Sequence, residues 1–90
     1  MTPLNSRQRK TLEEIFANPV TSDIRFKEVE HLCLALGGSV STKGRTSGSR
    51  IRIIIDGLYL NLHEPHPGRT LSKASVKDLR NFLSRLGITP

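Results

Sequence analysis

Ninety residues fit one small hydrophobic core and are too few for two ordinary domains. A single cysteine, Cys33, excludes an intramolecular disulfide and a cysteine-based zinc cluster, and no apolar run is long enough for a membrane span or a signal-peptide core, so the expected location is cytoplasmic. The formal charge of +6 favours a polyanionic partner. All of its excess lies from Lys43 onward, since residues 1–42 carry five basic and five acidic side chains and residues 43–90 carry nine and three.

The first helix is predicted over residues 6–17, with Leu12, Ile15 and Phe16 on one stripe and Pro19 ending it. It reads as an accessory element packed on the main domain, which sets the expected division at 1–23 for a helical extension and 24–90 for the domain proper. A second helix is predicted over residues 26–36, capped by Ser22 or Asp23 and stopped by Gly37-Gly38. Its Val29, Leu32, Cys33 and Leu36 face the core, which makes Cys33 a buried structural thiol and leaves His31 on the surface.

Residues 39–42 suit a short first strand. The basic, glycine-containing stretch 43–48 then leads into the most informative part of the chain; it lacks the Gly-Lys-Ser ending of a nucleotide-binding P-loop. There Ile51, Ile53 and Ile55 alternate with polar residues, Asp56-Gly57 supplies a two-residue hairpin turn, and Leu58, Leu60 and Leu62 resume the alternation. That turn sets a register with Ile55 opposite Leu58, Ile53 opposite Leu60 and Ile51 opposite Leu62, all on the core face. The other face then pairs Arg50 with His63, Arg52 with Asn61 and Ile54 with Tyr59.

After the proline-containing bend at 63–69, a last helix is capped by Ser72 or by Ser75, where Ser75-x-x-Asp78 fits a capping box. Val76, Leu79, Phe82, Leu83 and Leu86 form its apolar stripe and Gly87 stops it. Lys73, Lys77 and Arg80 remain for solvent or phosphate. The order is helix, helix, three antiparallel strands, helix: an α+β arrangement with one wet sheet face.

This order resembles the HicA family of bacterial type II toxins, ribosome-independent mRNA interferases with a double-stranded-RNA-binding-domain-like α-β-β-β-α fold. The resemblance spans about residues 24–88. It rests on the helix ending at Gly37, the Gly48-Ser49 entry to the second strand, the Pro65-His66 bend that ends at Arg69, and the final Leu86-Gly87-Ile88. It implies a toxin that acts as an mRNA endoribonuclease, needs no cofactor and is neutralised by a cognate HicB-like antitoxin protein. The family's usual Gly-Ser-His is here Gly48-Ser49-Arg50, and an arginine cannot serve as a general base.

The hairpin register supplies a substitute, because His63 stands across from Arg50. A histidine titrating near neutrality suits proton transfer, and a guanidinium suits the charge that develops on phosphorus-bound oxygen. His66 is either a second acid or base or a phosphate ligand. For RNA binding the candidates are Lys43, Arg45, Ser49, Arg52, Tyr59, Arg69, Lys73, Lys77 and Arg80. Among these, Ser49 either orients phosphate or merely begins a strand, and Tyr59 either stacks on a base or only packs on Ile54. His63-x-x-His66 has no third ligand, so no metal site is expected. Two other readings remain: a non-catalytic RNA- or antitoxin-binding member of the same fold, and an interaction module that uses the sheet edge.

Overall fold

The computed structural model describes residues 4–43, 50–63 and 70–90. Helices α1 (Ser6–Ile15) and α2 (Phe26–Ala35) precede strands β1 (Ser39–Lys43), β2 (Arg50–Ile55) and β3 (Leu58–His63), and α3 (Lys73–Arg85) follows. The strands form one antiparallel sheet in the order β1-β2-β3. It is a small α+β domain in which an α-β-β-β-α arrangement follows an N-terminal helix.

Asn5 starts α1 through a capping box, its Oδ1 accepting from the Gln8 amide at 2.8 Å while Gln8 Oε1 accepts from the Asn5 amide at 3.0 Å. The helix stops at Ile15, two residues short of the expected end. Leu12 and Ile15 are buried in the same cluster as residues of α2, the sheet and α3. The first helix therefore contributes to the common core.

The start of α2 departs from expectation for a non-local reason. Neither Ser22 nor Asp23 caps it; the N-cap is Arg25, with no side-chain capping bond. Arg25 instead forms an antiparallel bridge with Thr70, and the Leu71 amide donates to the Ile24 carbonyl at 2.8 Å. Both Ile24 and Leu71 are about 1 % exposed, so this clip lies inside the core and holds residues 24–25 extended until Phe26. At the other end of the same anchor, Ser72 is the one of the two candidate caps that starts α3, its Oγ accepting from the Ser75 amide at 3.1 Å.

The end of α2 is a Schellman motif. The Gly38 amide donates to the Cys33 carbonyl at 3.0 Å and the Gly37 amide to the Leu34 carbonyl at 3.1 Å, with Gly37 at φ +84°. Gly38 then passes so close to β2 that a Cβ there would stand 2.5 Å from Ile55 Cγ1 and 2.6 Å from the Ile54 carbonyl oxygen. Only glycine lets the chain enter β1 along this path.

The hairpin has the expected register at every pair from Arg50↔His63 to Ile55↔Leu58. Asp56 at φ 51° and Gly57 at φ 82° both occupy the left-handed region required by the tight turn. Ile51, Ile53, Ile55 and Leu62 are buried under the helices, together with Val76, Leu79, Phe82 and Leu83 of α3. Leu60 is half-buried. Leu58 departs from the expected core face: it is 38 % exposed, beside an open depression of about 370 Å³ lined by Gly57, Tyr59, Phe82 and Arg85. At the hairpin tip the helical layer no longer covers the strand.

Candidate nucleic-acid interface

Reading both registers together arranges the wet face of the sheet in three rows. Ser39, Ile54 and Tyr59 make one; Ser41, Arg52 and Asn61 make the next; Lys43, Arg50 and His63 occupy the third set of register positions. Rows are about 6.7 Å apart, two strand residues. The side chains of Lys43, Arg50 and His63 lie outside the described ones, as do residues Arg45, Ser49, His66 and Arg69 altogether. The Arg50–His63 pairing is thus present as backbone register.

In the two described rows a side-chain unit is assembled. Arg52 Nε donates to Asn61 Oδ1 at 3.1 Å, and its guanidinium carbon stands 4.9 Å from the centroid of the Tyr59 ring. The first contact is a cross-strand hydrogen bond and the second a cation–π contact, and each restricts the same arginine. Tyr59 nevertheless remains 62 % exposed and its partner Ile54 39 % exposed. An aromatic ring, an aliphatic shelf, a guanidinium and an amide therefore adjoin in solvent.

Lys73 and Lys77 are exposed, but on α3, in the helical layer behind the sheet. They do not share the surface of Arg52 and Tyr59. Arg80 differs from the expectation of a side chain left to solvent or phosphate. Its Nε donates to the Ile15 carbonyl at 2.9 Å and its Nη2 to the Ala17 carbonyl at 2.7 Å, with Phe16 beneath it at 5.9 Å. It closes the C-terminal end of α1, where unpaired carbonyls and the helix dipole favour a cation.

Cys33 is fully buried, and burial, followed by the negative charge of Glu30, pushes its thiol up to about 12. Such a group is protonated at neutral pH and is no nucleophile. His31 is exposed, as read from the sequence. Among the described residues, no three histidine, cysteine or acidic side chains stand together as metal ligands, and no helix is long and apolar enough to cross a membrane. A concavity of about 240 Å³ between α1 and the start of α2 sets Arg7, Lys10 and Arg25 against Glu14, Asp23 and Glu28. Arg7 and Glu28 pair at 3.0 Å, and the balance of charge gives this groove no preference for an anion.

Two members of the wet face were undervalued in sequence. Asn61 is the acceptor that orients Arg52, and the alternation in β3 already marked its position. Ser41 joins the row only through the β1–β2 register, which the irregular spacing between those strands conceals. Compared with protein-family models, characterised proteins and solved structures, the chain has no match. What the fold and its face define is a small α+β domain with a cationic and aromatic sheet surface.

Proposed function

We propose that this protein is a toxin of the HicA kind: a ribosome-independent, metal-independent mRNA endoribonuclease on a double-stranded-RNA-binding-domain-like fold, held in check by a HicB-like antitoxin in the cytoplasm. The observation that carries the reading is the β2–β3 register, in which Arg50 stands opposite His63 and next to the Arg52–Asn61 row. Basic positions on one sheet face, in a chain whose entire excess charge begins at Lys43, suit the phosphates of RNA.

In this proposal His63 takes the proton from a ribose 2′-hydroxyl as the 2′-oxygen attacks phosphorus. The bond from phosphorus to the 5′-oxygen breaks, and His66 delivers a proton to that leaving oxygen. Arg50 meets the charge that builds on the non-bridging oxygens. Lys43, Arg45, Ser49, Arg52 and Arg69 hold neighbouring phosphates, and Lys73 and Lys77 extend the contact only for an RNA long enough to pass round the edge of the sheet.

The second reading is a non-catalytic RNA-binding or antitoxin-binding protein of the same fold, favoured by Gly48-Ser49-Arg50 where the family has Gly-Ser-His. An RNA cleavage assay in EDTA separates the two. Wild type should cleave, and His63→Ala, folded by circular dichroism, should be slower by about 10²- to 10⁴-fold, the usual contribution of a general base. Salt-sensitive RNA binding without product would favour the second reading. Absence of both cleavage and RNA binding would refute the toxin and the RNA-binding protein and leave only the antitoxin-binding one.

A further inference from the structure

We propose that Tyr59, Arg52 and Asn61 form a subsite for a single unpaired nucleobase, stacked on the Tyr59 ring with its edge or adjoining phosphate met by the Arg52 and Asn61 donors. This rests on the RNA reading above and adds to it a residue-level determinant of which part of the RNA is held.

Tyr59 stands out on the sheet: a large ring, 62 % exposed, paired across the strands with an Ile54 that is itself 39 % exposed. Together they make a shelf on which a flat apolar ring can lie. Arg52 lies over one face of that ring, its guanidinium carbon 4.9 Å from the centroid, and is steadied by Asn61 through Nε alone, so a base stacks on the part of the ring that Arg52 leaves open. Its two Nη groups and the Asn61 amide nitrogen make no hydrogen bond within the described residues. Donors of this kind, fixed against an aromatic ring before any ligand arrives, lose little freedom on binding.

Charge selects the occupant. None of Ser39, Ser41, Arg52, Ile54, Tyr59 and Asn61 is acidic, and the chain is +6 overall. A polyanion whose units each carry a π face satisfies both halves of the site. The base must be unpaired, because in an A-form duplex each base is already stacked and the major groove is too narrow for side chains to read. Single-stranded RNA fits and double-stranded RNA does not.

The chain has one tyrosine and no tryptophan, so selectively labelled tyrosine ring resonances report on Tyr59 alone. The probe is a short 2′-O-methyl oligoadenylate, which cannot be cleaved through its 2′-oxygen, with a short RNA duplex and inorganic polyphosphate as comparators. Oligoadenylate should move the ring resonances upfield by ring current, whereas polyphosphate should bind without that shift. Tyr59→Leu should weaken oligoadenylate binding by roughly 5- to 150-fold, the range for one base–aromatic stack, and leave polyphosphate binding unchanged. Tyr59→Phe should keep the affinity. Because the residue is exposed, both variants should retain the wild-type circular dichroism spectrum.

RNA bound equally well by Tyr59→Leu, or duplex binding that moves the ring as strongly, would overturn the subsite while leaving the RNA reading in place. Failure of wild type to bind RNA at all would remove both. Self-association that shifts the ring without RNA would assign this face to a second copy of the chain and overturn the proposal.

Discussion

Replacing Arg80 with alanine should destabilise the domain without touching the wet face of the sheet. The guanidinium makes two charge-assisted bonds to main-chain carbonyls at the end of α1, at 2.9 Å and 2.7 Å. A hydrogen bond to a charged group contributes about 1.5–3 kcal/mol. The bond to Ile15 is partly buried and carries close to that amount, whereas the bond to Ala17 is exposed and carries less. The expected loss is therefore about 2–3 kcal/mol. At roughly 4–8 °C per kcal/mol for a domain of this size, the melting temperature should fall by roughly 10–20 °C. Arg80→Lys keeps the charge but cannot span both carbonyls, so it should recover about half of the loss. Thermal and urea unfolding followed by circular dichroism measure the change. A loss below about 0.5 kcal/mol for Arg80→Ala, the usual scatter of a surface substitution, would refute the capping role.

Gly38→Ala sets a Cβ 2.6 Å from the Ile54 carbonyl oxygen, a main-chain atom that cannot turn aside, and should cost about 1–3 kcal/mol by overpacking, read as a lower urea midpoint. Gly37→Ala, which meets no neighbour but needs a positive φ, should cost about 1 kcal/mol through backbone strain. Cys33 should resist a thiol reagent at pH 8 in the native state and react in denaturant. Because its folded value of about 12 lies above the ordinary 9.0, the unfolded chain gives up this proton first as pH rises. The thiol's contribution to stability is intact below pH 9 and declines by up to about 1.4 kcal/mol per pH unit between 9 and 12. Cys33→Ala should lack that component of the alkaline slope, and identical slopes in the two proteins would contradict it.

How far the chain could be read from sequence tracks how local each determinant is. Ile51, Ile53 and Ile55 with Asp56-Gly57 specify a hairpin within a dozen residues, and its register follows from the turn alone. The apolar stripes of α2 and α3 were equally legible, because Val29, Leu32 and Cys33 or Val76, Leu79 and Leu83 repeat at helical spacing. The start of α2 was not: its N-cap is Arg25, rather than Ser22 or Asp23, because a main-chain bridge to Thr70 intervenes, and no local propensity encodes a partner so distant. Arg80 was misjudged for the same reason, although its place four residues after Val76 and three before Leu83 put it at the margin of the buried stripe. At the candidate site, alternation alone located Arg52, Tyr59 and Asn61 on one face. The cation–π contact that makes them one unit depended on how the arginine bends, which sequence spacing does not determine.

The bridge between Ile24 and Leu71 also gives the protein an internal reporter. Leu71 donates its amide to a carbonyl on the far side of the sheet-forming excursion, and both residues are screened from water. Fraying of one helix end or opening of the hairpin tip leaves that bond untouched. Exchange of this one amide with deuterium requires the entrances to α2 and α3 to part, which is a fracture through the core. Its protection should therefore match the free energy of global unfolding, and the slowest-exchanging amide outside the regular helices and strands should belong to Leu71.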